Sequence, residues 1–231
     1  MRPILPGLFA LPLGAVNVFI LDDGGALTII DSGYPGSAPQ IGAALAASGK
    51  SWADVRQILL THCHPDHAGS VAELKRLSGA PAAMHPADAA LTRAGQVGRG
   101  QMVVAPGLPN QLLYRLFITG TPSTVEAAEI EQTVEDGAVL PIAGGLRAVH
   151  TPGHSLGHLA FLWESRGVLF AGDTASNVAG LQLSIVYEDL EVGRRSLARL
   201  AQLEFEVAVF GHGGPIRRGA AARFRQKWGR A

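Results

Sequence analysis

Short apolar runs recur along the chain, and each ends in a cluster of Gly, Pro, Thr, His or Asp. Residues 58–60 run into Thr61-His62, and residues 146–149 run into His150-Thr151-Pro152-Gly153-His154. Residues 168–171 lead into Gly172-Asp173, and residues 207–210 lead into Gly211-His212. Runs this short predict buried strands rather than helices. Four strand ends therefore carry polar loops, where a rigid sheet presents a site. Residues 16–21 and 26–30, joined by Asp22-Asp23-Gly24-Gly25, predict a β-hairpin, because Asp and Gly tolerate the positive φ of such turns.

Helical signals fall between these runs. Ser37-Ala38-Pro39-Gln40 has capping-box spacing, with Ile41 and Leu45 behind it and Gly49 as a stop. From His67 to Ser78, Val71, Leu74 and Leu77 form an apolar stripe closed by Gly79. Leu190, Leu197, Leu200 and Leu203 predict a helix over 189–203. A last helix at 220–228 carries Arg223, Arg225 and Lys227 on a solvated face. The order predicts α/β layers. Residues 95–131 are the longest irregular stretch and read either as a lid or as a helix packed on the core.

The 231 residues suit a single domain, large enough to bury a core without staples. Nineteen basic residues balance nineteen acidic ones, which argues against a general attraction to nucleic acid or anionic lipid. A hydrophobic fraction of 47% excludes wholesale disorder. Cys63 is the sole cysteine, so no intrachain disulfide forms, and a reducing, cytoplasmic setting fits. The apolar start is broken by Pro3, Pro6 and Pro12 and has one basic residue, Arg2, unlike an export signal or a membrane span.

The informative stretch is Thr61-His62-Cys63-His64-Pro65-Asp66-His67-Ala68-Gly69. Neutral imidazole offers a lone pair to metals. Alternation along an extended segment turns His62 and His64 the same way, able to share an ion. Asp66 and His67, where the chain turns towards a helix, point elsewhere and can serve a second ion. Zinc and similar divalent metals accept this nitrogen and oxygen set. The same alternation turns Cys63 away, as a buried, inert thiol. His85 and His150 read as ordinary polar positions.

His62, His64, Asp66 and His67 fill a His-x-His-x-Asp-His pattern, and His154, Asp173 and His212 stand at later loop positions. In this the chain resembles the metallo-β-lactamase superfamily over nearly its whole length. The resemblance implies an αββα sandwich of two mixed β-sheets flanked by helices, as one domain over 1–231, with 95–131 as a lid or substrate wall. It also implies two divalent ions, zinc foremost, with iron or manganese as alternatives. His62, His64 and His154 would hold one, Asp66, His67 and His212 the other, with Asp173 bridging. Asp31 matches a family carboxylate that steadies a ligand histidine, and His158 reads as support near the site.

The implied reaction is hydrolysis, in which a metal-bridging hydroxide attacks the carbonyl of a lactone, ester or thioester. Asp66 doubles as the catalytic group that orients the nucleophile and passes a proton to the leaving group. The Thr-x-His-x-His-x-Asp-His-Ala-Gly style is glyoxalase II-like. Residues 213–231 are too few for that enzyme's glutathione-binding region, so glutathione thioesters are disfavoured. Asp173 counts against antibiotic hydrolysis, and a full ligand set is lactonase-like, with Tyr187 or Tyr114 as the tyrosine near the site. A mononuclear iron persulfide dioxygenase and a phosphodiesterase or nuclease of the same fold are the alternatives. The expected partner is a small molecule, with no nucleic acid or membrane, and a homodimer is open to the chain. Met102, Leu113, Tyr114, Phe117 and Tyr187 are the expected substrate wall. Arg93, Arg99 and Arg115 are the only basic residues near it, which favours neutral acyl groups with an apolar chain.

Overall fold

A computed structural model describes residues 1–229 apart from Arg99 and Pro122; the Phe117 side chain also lies outside the description. Two expectations, Phe117 as substrate wall and Arg99 beside it, therefore fall on positions not described. The apolar start forms antiparallel strands β1 (Arg2–Leu5), β2 (Leu8–Leu13), β3 (Val16–Asp22) and β4 (Leu27–Ile30). The β3–β4 turn closes as expected: the Asp22 and Asp23 carboxylates accept from the Gly24 and Ala26 amides, and Gly24 has φ +94°.

The chain continues through α1 (Ala38–Ala46), β5 (Val55–Leu59), α2 (Val71–Ser78), β6 (Ala82–Met84) and α3 (Pro86–Arg93). It then passes β7 (Val103–Val104), α4 (Leu108–Leu113) and β8 (Gln132–Thr133). A seven-stranded sheet results, in the order β1-β2-β3-β4-β5-β6-β8, antiparallel up to β4 and parallel beyond it. The second sheet follows from β9 (Val139–Leu140), β10 (Leu146–His150), β11 (Leu159–Trp163) and β12 (Val168–Phe170). After β13 (Ala175–Ser176), β14 (Gln182–Leu183), β15 (Val186–Tyr187) and α5 (Leu190–Leu200), β16 (Val207–Val209) completes it, and α6 (Ala220–Trp228) follows. Its order is β16-β12-β11-β10-β9, with β12 and β16 parallel.

Period-two side-chain alternation sorts the strand residues into three packed layers. Val18, Ile20, Ile29 and Ile58 pack with Ile41 and Leu45 of α1 and Val71 and Leu74 of α2. Phe19, Leu21, Leu59, Phe161 and Phe170 fill the space between the sheets, with the Phe19 and Phe170 rings edge to face at 5.8 Å. Leu162 and Leu169 pack with Leu197 and Leu200 of α5 and Phe224 of α6. This is the αββα sandwich, and it explains why the strands read as unbroken apolar runs: both faces are covered.

Two helix starts differ from expectation. Ser37 sits at the N-cap of α1 without a side-chain cap bond; its amide donates to Ser70 Oγ instead, so the capping box does not form there. The box is at Ser51–Asp54, ahead of a short helical turn. Helix α2 starts at Val71 rather than His67, because the intervening residues are the loop that carries the histidines. Leu77 ends largely exposed rather than on the apolar stripe. Among the described residues, no helix is long and apolar enough to cross a membrane.

Candidate metal centre

The four expected strand ends meet at one edge of the sandwich. β5 leads to His62, His64, Asp66 and His67; β10 leads to His154; β12 leads to Asp173; β16 leads to His212. The two sheets are tied at this edge: the Leu159 amide donates to the Thr61 carbonyl, and the Asn17 amide donates to the Gly211 carbonyl. Close approach demands glycine before the last histidine, since a Cβ on Gly211 would lie 2.1 Å from Asp173 Oδ1. His62, His67, His154 and Asp173 are buried, while His64, Asp66 and His212 are half-buried and form the open side.

Each ligand-type imidazole except His64 is anchored through Nδ1, leaving Nε2 for the cluster. His67 Nδ1 meets Asp31 Oδ2 at 2.8 Å, and His154 Nδ1 donates to the Val186 carbonyl at 2.8 Å. His212 Nδ1 donates to the Ala15 carbonyl at 2.8 Å, and His62 Nδ1 meets Thr61 Oγ1 at 3.0 Å. His64 turns the other way, with Nδ1 2.9 Å from His154 Nε2. An imidazole held at one nitrogen has a fixed ring plane and a fixed tautomer, which metal ligation uses.

Among the described residues, three groups of donors come close enough to hold an ion, each with its ligand atoms within 4.8 Å of one another: His62, His64 and His154; His62, His67 and Asp173; Asp66, His67 and His212. Asp173 lies between them. Its Oδ1 is 3.5 Å from His67 Nε2, and its Oδ2 is 3.1 Å from His212 Nε2 and 3.7 Å from His154 Nε2. Among the described residues, the buried side-chain atoms without a hydrogen-bond partner are His62 Nε2, His67 Nε2, Asp173 Oδ1 and Ser184 Oγ. Three of these four converge here, and unpaired buried polar atoms are rare. Imidazole nitrogen and carboxylate oxygen are the donors that zinc-like cations take, so the residues fit divalent ions.

The electrostatics divide the cluster. Burial, then the neighbouring imidazoles, holds His62 well below the usual histidine range. Burial also lowers His64, and His154 falls to about 4 through burial and the His64 imidazole. Burial would lower His67 as well, but the carboxylates of Asp173, Asp66 and Asp31 lift it to about 9. His212 rises in the same way, against burial, through Asp173 and Asp66. Both carboxylates resist burial and stay well below their ordinary range because His67 and His212 face them.

Asp31 is where the pattern placed it, buried, with φ +64°. That strained backbone is held by its side chain, which accepts from the Thr61 amide and hydroxyl as well as meeting His67. His158, expected near the site, is buried, its Nε2 accepting from the Asp173 amide at 2.9 Å and its Nδ1 meeting Thr151 Oγ1 at 2.8 Å. Cys63 is fully buried in the core, as alternation required. His85 and His150 differ from ordinary polar positions in stacking on each other, 4.2 Å apart and 7° from parallel.

Tyr187 is a correction. It is fully buried, its hydroxyl donates to the Thr174 carbonyl, and its ring stands edge-on behind His154, so it is not a substrate wall. The two-residue strand β15 is too short for alternation to reveal which side faced the site. Met102, Leu113 and Tyr114 are half-buried along 95–131, and Val103, Leu108, Leu112 and Leu116 are exposed there. These apolar side chains do not pack as core. The segment leaves the site beside His64, where a Cβ on Gly98 would lie 4.0 Å from His64 Nε2, and β7 then pairs with β15.

Tyr34, not singled out from the sequence, stands within electrostatic reach of Asp66, His212 and Asp173. Its exposed phenol is held above its ordinary value by partial desolvation and by the Asp66 and Asp173 carboxylates. Its position just after Asp31-Ser32-Gly33 was the available signal.

Similarity to other proteins follows the same geometry. An atrochrysone carboxyl ACP thioesterase of Aspergillus fumigatus is 32% identical over 208 residues, 89% of this chain and 53% of that protein. Thioesterase pkgB of Emericella nidulans is 29% identical over 209 residues, 90% of this chain and 48% of that protein. The chain thus spans about half the length of these curated relatives. A metallo-beta-lactamase family protein of Thermus thermophilus superposes with a TM-score of 0.72 at 31% identity, over 97% of this chain and 80% of its own. The subclass B3 metallo-beta-lactamase BJP-1 of Bradyrhizobium japonicum, at 19% identity and a TM-score of 0.72, covers 99% of this chain and 90% of its own and shares the fold. The Metallo-beta-lactamase superfamily model matches residues 11–212, from β2 to the last histidine of the cluster, and this chain belongs to that superfamily.

Proposed function

We propose that this protein is a metal-dependent hydrolase of carbonyl esters, with thioesters of apolar acyl groups as its substrates and two divalent ions, zinc foremost, at its centre. The observation that carries the reading is the convergence of the unpartnered His62 Nε2, His67 Nε2 and Asp173 Oδ1 among donor groups spaced for ions. In this reading His62, His64 and His154 hold one ion, Asp66, His67 and His212 the other, and Asp173 reaches both. Bound divalent ions supply Lewis acidity, which makes water nucleophilic near neutral pH and polarises a carbonyl.

The chain's own residues do the rest. Asp31 and the Val186 and Ala15 carbonyls fix the imidazoles before substrate arrives. Asp66, half-buried on the open side and ionised, takes a proton at its carboxylate and returns it to the leaving group. Tyr34, whose phenol keeps its proton at neutral pH, donates to the substrate's carbonyl oxygen. The exposed Leu108, Leu112 and Leu116 on the segment that starts beside His64 suit an apolar acyl chain. The thioesterase names of two relatives favour the thioester over the lactone.

A hydrolysis panel tests this: acyl thioesters of increasing chain length, an aryl ester, an acyl-homoserine lactone, a cephalosporin and a bis-aryl phosphodiester. The expected result is the highest kcat/KM on thioesters, rising severalfold per added CH₂ at about 0.8 kcal/mol each, and lost on chelation. Turnover of the phosphodiester alone, or thioester cleavage that survives complete metal removal, would overturn it.

A further inference from the structure

Asp88, in the first turn of α3, is fully buried and lies outside every ligand-type group described above. Its carboxylate joins two loops that are far apart in sequence. Oδ2 accepts from the Cys63 amide at 3.2 Å and from Ser155 Oγ at 2.6 Å, and Oδ1 accepts from the Gly157 amide at 2.8 Å. Cys63 stands between His62 and His64, and Ser155 follows His154. One carboxylate therefore grips the backbone at the two places that set His62, His64 and His154. The fit leaves no slack, since a Cβ on Gly157 would lie 2.5 Å from Asp88 Oδ1. In the same loop, the Leu156 amide donates to the Glu188 carboxylate at 2.8 Å, so two carboxylates hold the His154 loop.

We infer that Asp88 is a positioning residue for the three-histidine group, holding the His62–His64 loop and the His154 loop at the separation one ion requires. Its hydrogen bonds reach neither Asp66, His67 nor His212. Asp31 is different: it meets His67 directly and reaches His62 through Thr61, so it acts on both groups. The inference rests on the reading of His62, His64 and His154 as ligands.

The chemistry predicts what a nearly isosteric change does. An amide at position 88 offers one acceptor oxygen and turns an NH₂ towards the backbone amide of Gly157 or that of Cys63, while the Ser155 hydroxyl, able to accept, can rotate to meet it. Buried donors facing donors force the loops apart.

The test measures Zn²⁺ and Co²⁺ binding to metal-free wild type, Asp88→Asn and Asp31→Asn by competition with a chromophoric chelator, and records Co²⁺ absorption to separate nitrogen-rich from carboxylate-bearing sites. Asp88→Asn should weaken the nitrogen-rich ion about 10–100-fold, the usual cost of losing an outer hydrogen bond to a metal site, and leave the other ion unchanged. Asp31→Asn should weaken both. Ser155→Ala, which removes a single bond and spares the fold, should weaken the same nitrogen-rich ion severalfold. Equal weakening of both ions by Asp88→Asn, or wild-type binding in both Asp88→Asn and Ser155→Ala, would overturn the inference. If Asp88→Asn does not fold, Ser155→Ala alone decides it. A wild type that binds no ion would instead sink the functional reading itself.

Discussion

The three-histidine group and the Asp66–His67–His212 group sit side by side on the same sandwich edge, yet they solve the burial of polar atoms in opposite ways. The first keeps its imidazoles neutral: burial and mutual repulsion push them down, with His154 at about 4. The second neutralises itself by pairing charges, with His67 lifted to about 9 against Asp173, Asp66 and Asp31. The first group is ready for a cation at neutral pH. The second must release a proton before His67 can ligate. The contrast teaches that donor groups built from similar residue types take opposite pKa shifts because of where the carboxylates stand.

The largest effect should come from the side chain common to both groups. Asp173→Ala should lower the number of ions bound per chain and cut turnover on the same sample, by about 100-fold or more. Metal counting beside kcat checks this; an unchanged count would place Asp173 outside the ion-binding set. Asp66→Asn comes next and breaks the comparison on one side only. It should weaken the ion of its own group, and activity should stay about 100-fold low even when excess metal restores both ions, because a proton carrier is missing. Full rescue by added metal would leave Asp66 as a ligand alone.

Proton competition sharpens the contrast further. Affinity at the Asp66–His67–His212 group should rise by about tenfold or more per pH unit up to about 9, because His67 and His212 both give up protons, whereas the three-histidine group should be flat above about pH 5. The stability of the metal-free chain follows the same shifts. The part due to charged His67 is full below 6.5, its ordinary value, and is lost as pH rises through about 9. His154 acts oppositely: the unfolded chain takes up its proton first, so stability falls as pH drops from 6.5 through about 4. Chelator competition and thermal melting across this range check both statements.

The smallest effect is expected at Tyr34, whose phenol senses the Asp66 and Asp173 carboxylates. Tyr34→Phe should lower kcat about fivefold, the worth of one hydrogen bond of about 1 kcal/mol, with both ions bound as before. A loss of metal in this variant would show that the phenol supports the centre rather than the substrate.

Much of this centre was legible in the chain because its signals are local. His62, His64, Asp66 and His67 lie within one loop, and the apolar runs before His154, Asp173 and His212 marked those residues as strand ends. What escaped reading acts across sequence. Asp88 bonds to partners 25, 67 and 69 positions away, and no short pattern distinguishes it from any acidic residue in a first helical turn. Tyr187 was misread for the complementary reason: proximity to His154 is real, but the ring lies behind it, where a Cβ on Gly193 of α5 would lie 2.5 Å from the Tyr187 ring. The apolar content of 95–131 could not separate lid from core, because exposure of Leu108, Leu112 and Leu116 is a tertiary property.

The most direct test of the central claim is a stepwise Zn²⁺ titration of the metal-free chain, with bound ions and thioester hydrolysis measured in the same sample. Two ions per chain with full activity only as the second is bound is the predicted result. Full activity with one ion bound, the second adding nothing, would contradict it.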